Sequence, residues 1–377
     1  MTNPTLFWNT DSTDASLDIG KRQEFGDRFK LLNLLEEGGF GQVWRAKDLW
    51  LKQEVALKIS DSEMSNEIIL LRKLPRDRYI SIYDYIKDEE SQNVAYAMEV
   101  LESPWMTLDE YHSSKIKPNF SRGNYIQGLR ISLFIIIDIL TSLEYLHGQK
   151  YKKKDRWCHA DIKPNNLYVH SKKAAKLVNN LQWGDVFSPV TKIGDLGLAT
   201  KMGSTLNGGT MGFMAPEQRR GVKNVSPATD LFAVGQTLVT LINGKPFQDN
   251  SLRVNKIRDN LSNIIPSKYI ISRLVAIIHQ MTNRSSPGLR PSAKEAIKKL
   301  QSVVNSEVDW LIFLVFSEEE TGLTLADAAL SLFEKHKVSK GWRNLTLDRE
   351  KEMKSLVRSA YRREILSREG HQYSIKT

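Results

Sequence analysis

Hydrophobic and polar positions change their period along the chain, and each change marks a different kind of element. From Arg28, "FKLLNLL", "VWRAKDLW" and "QEVALKIS" carry the alternation and residue types of half-buried strands, the first two joined by the glycine turn "EEGGFGQ". "SEMSNEIILLRKL" takes a helical period that sets Met64, Ile68, Leu71 and Leu74 on one face. Two more strands are expected in "ISIYDYIKD" and "NVAYAMEVL". After Leu101 the pattern turns to long apolar helices. "LRISLFIIIDILTSLEYLHG" is apolar nearly all round and predicts a central helix; "TDLFAVGQTLVTLING" predicts another, ended by Gly244. Residues 270–282 and 292–304 supply two further helices. This is an α+β chain: a small antiparallel sheet with one helix, then a larger, mainly helical body. The expected division is an arm over residues 1–27, a sheet lobe over 28–101, a helical lobe over 102–304 and an appendage over 305–377.

In the appendage, "VDWLIFLVFSEEE", "LTLADAALSLFEKH" and "LDREKEMKSLVRSAYRR" read as three helices, and "EILSREGHQYSIKT" as a hairpin turning near Glu369-Gly370. Helix-helix-helix-hairpin is the order of a winged helix. Residues 307–334 hold seven acids and no lysine or arginine, whereas residues 335–377 hold 12 Lys and Arg against five acids, a net of +7. A basic third helix with a wing suits a phosphate backbone. A small protein-docking or self-association domain accounts for the same pattern equally well. Elsewhere, the lysine-rich "GQKYKKKDRW" reads as a solvated insertion, and "KKAAKLVNNLQWGDVFSPVT" as a hairpin inserted between two strands.

Composition narrows the class only a little. With 41% hydrophobic and 26% charged residues over 377 positions, the chain is an ordinary globular protein. Its net charge of +10 favours acidic partners such as nucleic acid, nucleotides or anionic surfaces without choosing among them. The single cysteine, Cys158, excludes an internal disulfide framework and fits a reducing cytosol; it reads as a packed residue, not a nucleophile. No signal sequence opens the chain, and the most apolar stretches, residues 131–140 and 310–316, fall short of the ~20 residues that cross a bilayer. A cytoplasmic protein without a membrane span is therefore expected. His147, His159 and His170 lack metal-site spacing and read as structural.

The chemistry-bearing residues follow the same order. Gly38, Gly39 and Gly41 lie between two strands, where backbone amides approach phosphate oxygens without a side chain intervening; a plain hairpin turn would look the same. Lys58 of "VALK" ends a strand and suits the α- and β-phosphates of a nucleotide, with Glu67 as its anionic partner and Glu63 as the competing choice. In "HADIKPNNL", Asp161 offers a carboxylate to orient and deprotonate an attacking hydroxyl, and Lys163 a cation for the transferred group. Asn166, with Asp195 of "KIGDLGLAT", offers oxygen ligands of the kind Mg2+ prefers.

By this point the ordered motifs resemble the eukaryotic-like serine/threonine protein kinases over residues 28–304. "EEGGFGQV" resembles the glycine-rich loop, "VALK" the strand-3 lysine, "HADIKPNNL" the catalytic loop, "DLG" the metal-binding DFG and "GTMGFMAPE" the end of the activation segment. "DLFAVG" resembles the helix that holds the catalytic loop through Asp230, and Arg290 the arginine that pairs with Glu217. The resemblance implies a bilobal kinase fold, use of ATP and Mg2+, and protein substrates with serine or threonine acceptors, the last from Lys163. It further implies a hinge in "YAMEVLE", with Met98 as gatekeeper and the backbone of Glu99 and Leu101 nearest adenine. Val43 and Ala56 would roof the adenine and Leu167 floor it. Leu71, Leu196 and His159 would stack in an apolar column, and Thr210 would bond the catalytic aspartate and lysine.

Departures from the family pattern carry their own expectations. Glu36 stands at the first glycine of the nucleotide loop and should raise the nucleotide KM. Asn166 and Asp195 are 29 residues apart, and Asp185 of "GDVFSPV" is rejected as the metal ligand because only "GDLGLAT" continues correctly. Ala160 replaces the arginine that, in other members, pairs with a phosphate on the activation segment, so switching through that contact is not expected. That segment still offers Thr200, Ser204, Thr205 and Thr210. An active kinase is the leading expectation. A pseudokinase or ATP-binding scaffold, motivated by Glu36 and Ala160, is the alternative, and regulation by a nucleic-acid-binding or protein-binding appendage is an addition to the first.

Overall fold

The computed structural model describes residues 24–38, 41–60, 65–88, 92–122, 125–151, 155–179, 189–204, 208–219, 225–265, 268–304, 315, 323–336, 350–351, 353–355, 357–358, 366–369 and 371–375. Gly39, Glu63, Met64, Asp185, Thr205, most of the expected arm and nearly all of the first appendage helix lie outside the described residues. The chain divides into two compact units, the first running to Arg72 and including Ser81–Val100, the second taking Lys73–Ile80 and everything from Leu101.

In the first unit, β1 (Glu24–Phe25), β2 (Phe29–Gly38), β3 (Gly41–Asp48), β4 (Gln53–Ser60), β5 (Ile82–Lys87) and β6 (Val94–Met98) form one antiparallel sheet in the order β1-β2-β3-β4-β6-β5. Phe29, Leu31, Ala46, Val55, Leu57 and Ile59 project from it into a shared core. The helix α1 (Ser65–Leu71) is shorter than its periodicity suggests: Ile68 and Leu71 are buried on it, while buried Leu74 lies past its end.

The second unit is built around α2 (Tyr125–Gly148), a helix whose Leu129, Leu133, Ile136, Leu140 and Leu143 have no exposed surface. Asp138 interrupts its apolar face for a reason visible in the packing. Its carboxylate accepts the backbone N–H groups of Val190 and Thr191 at 2.9 and 2.8 Å, the Thr191 hydroxyl at 2.8 Å and Arg78 Nη1 at 2.9 Å. A buried charge so saturated is tolerated, and it fixes the strand that leads to Asp195. Before α2 comes β7 (Trp105–Thr107), and after it β8 (Lys150–Tyr151), β9 (Asp155–Cys158), β10 (Leu167–His170), β11 (Thr191–Ile193) and β12 (Thr200–Lys201). They make two small sheets, β11-β10-β7 and β12-β9-β8.

Where a hairpin was expected after β10, residues Ser171–Asn179 form α3. Lysine, alanine and leucine are good helix formers, and Ala174 is buried where α3 packs on α2. The rest of the unit is α4 (Pro227–Asn243), α5 (Val254–Ser262), α6 (Lys268–Met281) and α7 (Ala293–Val304). Pro227 starts α4 without losing a needed donor; Gly244 ends it at φ +80°, its N–H bonded to Thr240 O at 2.8 Å. Every residue from Thr229 to Ile242 is buried.

Near the C-terminus, β13 (Leu323–Thr324), α8 (Leu325–His336), β14 (Leu366–Glu369) and β15 (Gln372–Ile375) follow, with the sheet order β13-β15-β14. The described positions between 350 and 358 are helical.

Candidate active site

In the first unit the register of the sheet places Lys58 of β4 opposite Val43 of β3 and Tyr96 of β6, with Ala56 opposite Met98. Lys58 is buried with Glu67 of α1, Nζ lying 3.1 and 3.3 Å from the two carboxylate oxygens. Tyr96 completes the arrangement: its hydroxyl donates to Glu67 Oε1 at 2.8 Å, and Lys58 Nζ sits 5.9 Å from its ring centroid. The buried pair is therefore hydrogen-bonded as well as charge-matched, which a removed-from-water ion pair requires. Gly41, at φ +112°, has no room for a side chain, since a Cβ would lie 2.0 Å from Ile59 O. Gly38 pairs with Gly41 at the end of the hairpin. Glu36 is exposed and pairs with Val43 beside a register irregularity. At the end of β6, Glu99 is anchored to Ser81 twice, N–H to O at 3.0 Å and Oε1 from N–H at 2.8 Å.

In the second unit the buried carboxylate of Asp230 on α4 organises the loop after β9. It accepts the N–H of His159 at 2.9 Å, the N–H of Ala160 at 2.8 Å, and lies 2.8 Å from His147 Nε2. His159 Nε2 reaches Gly194 O at 2.9 Å and so donates; its Nδ1 is then free to accept the Asp161 N–H at 3.3 Å. One imidazole thus joins the loop bearing Asp161 to the segment bearing Asp195.

Asp161 is surrounded by donors. Oδ1 accepts Thr210 N–H at 3.1 Å and Thr210 Oγ1–H at 3.0 Å, and Oδ2 accepts Asn166 Nδ2 at 3.0 Å and faces Lys163 Nζ at 3.0 Å. Lys163 also donates to Thr210 Oγ1 at 2.9 Å. Asn166 Nδ2 further donates to Asp161 O at 2.9 Å, which orients the amide so that its oxygen is the unspent acceptor end. Asp195 adopts φ +49°, with Oδ1 accepting Gly197 N–H at 3.3 Å. A carboxylate and an amide oxygen are hard donors, and that set suits Mg2+. Leu167 is buried opposite Ile193, and Leu196 and Leu71 are buried in their own units.

Ala160 sits at φ +68° in an apolar cluster with Cys158, Leu198 and Val225. Burial pushes the Cys158 thiol well above its usual pKa, so it stays protonated. Glu217 and Arg290 form a buried bidentate pair at 2.6 and 2.9 Å. Burial pushes the Glu217 carboxyl up, but the Arg290 guanidinium and the Thr229 hydroxyl outweigh it and hold the carboxyl below its ordinary range.

Three contributors were missed in the sequence: Tyr96, Asp138 and Gln218, whose Nε2 donates to Ala160 O at 2.7 Å while its Oε1 accepts Ala215 N–H at 2.9 Å. Only Asp138 gave a signal, as a charge inside an apolar helix.

A sheet unit with a buried lysine–glutamate pair and a helical unit with an aspartate–lysine–asparagine loop are the two lobes of one class of fold, and the comparisons bear on it directly. The model for the protein kinase domain matches residues 29–302. The chain belongs to the protein kinase family. It is 27% identical over 255 residues to the serine/threonine-protein kinase TOS3 of Saccharomyces cerevisiae, covering 62% of this chain and 43% of that one. To the serine/threonine-protein kinase PrkC of Bacillus subtilis it is 28% identical over 252 residues, 62% of this chain and 33% of the other. The chain thus spans less than half the length of both relatives.

Proposed function

We propose that the chain is an active protein kinase that transfers the γ-phosphate of ATP to serine or threonine hydroxyls of proteins. The observation that carries this reading is the closed set of bonds among Asp161, Lys163, Asn166 and Thr210. Asp161 orients the acceptor hydroxyl and takes its proton as the hydroxyl oxygen bonds to the γ-phosphorus. The bond from that phosphorus to the β,γ-bridging oxygen breaks, and ADP leaves. Lys163 balances charge on the group in transit, and Lys58 holds the α- and β-phosphates. Asn166 and Asp195 would hold Mg2+, which when bound supplies charge neutralisation at the phosphates. The names of the relatives, which are serine/threonine-protein kinases, support the acceptor class.

The test is transfer of label from ATP to the chain itself and to a basic protein, beside Asp161→Asn and Asp195→Asn. Transfer by the parent that is lost in both variants is expected. A parent that binds ATP yet transfers nothing would favour the scaffold reading instead.

A further inference from the structure

Gln218 lies buried in the helical turn Pro216–Arg219, and its side-chain amide spends both ends on backbone groups. Nε2 donates to Ala160 O at 2.7 Å, and Oε1 accepts Ala215 N–H at 2.9 Å. The orientation of the amide is settled by its partners, since a carbonyl only accepts and an N–H only donates. One side chain thus bridges Ala215 of the activation segment and Ala160 of the catalytic loop. Ala160 O belongs to the peptide plane that leads into Asp161. At the opposite edge of that plane the Asp161 N–H donates to His159 Nδ1 at 3.3 Å. The Ala160 N–H, on the preceding peptide, donates to Asp230 Oδ1 at 2.8 Å. Residue 160 itself is left-handed at φ +68°, a conformation that a non-glycine residue keeps only where its surroundings over-determine it. Gln218 supplies the part of that hold that comes from beyond Glu217. It also lies beneath Gly209, where a Cβ would approach Gln218 Nε2 to 3.4 Å. Gly209 precedes Thr210, whose N–H and hydroxyl donate to Asp161.

On the kinase reading of this site, we propose that Gln218 is a positioning residue that straps the activation segment to the catalytic loop in its working arrangement, with no phosphate required. Its amide is neutral, so neither bond depends on a modification. It acts through the peptide plane that sets Asp161, not on the reacting atoms. The Oε1 bond alone is an ordinary helix cap, a side chain at the third helical position reaching back to the N-cap N–H. Glutamate makes that cap equally well but has no donor for Ala160 O. The Nε2 bond is therefore the part that capping does not account for.

The experiment uses the full chain after phosphatase treatment, as the parent, Gln218→Glu and Gln218→Met, at about pH 8, where a carboxyl is ionised. Label transfer from ATP to a basic protein gives kcat and KM, and hydrogen exchange gives the protection of the Thr210 amide. The treated parent should transfer at the untreated rate. Gln218→Glu keeps the bond from Ala215 N–H but sets a carboxylate against Ala160 O. It should lower kcat roughly 10- to 100-fold and speed exchange at Thr210, with the KM for ATP within about twofold of the parent. Gln218→Met, which lacks both bonds, should do the same and melt at a lower temperature. Melting curves show whether each variant is folded under assay; should one not fold, the other decides. A kcat near the parent's in Gln218→Glu would reduce Gln218 to a helix cap and overturn the proposal. Loss of the parent's transfer on phosphatase treatment overturns it too. A parent that transfers nothing, treated or not, marks failure of the kinase reading instead. Exchange at Thr210 then decides the strap, which falls if Gln218→Glu leaves that exchange unchanged.

Discussion

Thr210 ties two catalytic side chains together through three bonds: its hydroxyl donates to Asp161 and accepts from Lys163, while its N–H donates to the same carboxylate. Replacing it by valine keeps the shape and deletes both hydroxyl bonds. Thr210→Val is expected to lower kcat roughly 10- to 100-fold, the scale on which small displacements of reacting groups act, with the KM for ATP little changed. Thr210→Ser should stay near the parent, and steady-state kinetics on both variants checks this. Glu36 makes the opposite experiment. It is exposed, so its effect on a bound phosphate is that of a screened surface charge, ~0.2–1 kcal/mol. Glu36→Gly should therefore lower the KM for ATP by at most about fivefold, and by less at high salt. A change in kcat without one in KM would count against this role.

Elements set those residues in place through contacts that sequence reading sees unevenly. Helix α4 was legible from its apolar run, its proline start and its glycine stop, because those features are local. Strands β2 to β4 were legible for the same reason. The buried pair between Glu217 and Arg290 was accessible only through family spacing, being a contact across 73 residues. The hold of Asp138 on Val190 and Thr191 was invisible, since side-chain bonds to distant backbone leave no period in the chain. Helix α3 was misread because a nine-residue segment beside a strand shows too few turns for its period to declare itself. The ion pair yields a clear measurement. Glu217→Gln leaves Arg290 buried without its counter-charge, at a cost of about 3–5 kcal/mol. Because the folded carboxyl titrates below its unfolded value, near 4.3, the pair contributes fully above that pH and is lost as pH falls through the folded pKa. Melting temperatures should thus fall more steeply with acid in the parent than in Glu217→Gln.

For the whole molecule, family membership was readable from ordered motifs, whereas the appendage, with no comparable motif, depended on charge and element order. Binding of Mg2+ and ATP to the folded chain should raise its melting temperature, by the equivalent of about 2.7 kcal/mol at 100-fold excess over Kd. Asp195→Asn should remove the part of that shift that depends on magnesium, and a fluorescence melt resolves the two. Phosphatase treatment should leave transfer rates unchanged, because no cation faces the activation segment from position 160. The surroundings of Ala160 add a packing constraint at that position. Cys158, Leu198 and Val225 pack with it in one apolar cluster, and the backbone there is left-handed. A guanidinium introduced there by one substitution would meet apolar side chains. An arginine at 160 would therefore have to be accommodated by changes in those neighbours as well, and Ala160→Arg alone is expected to lower the melting temperature.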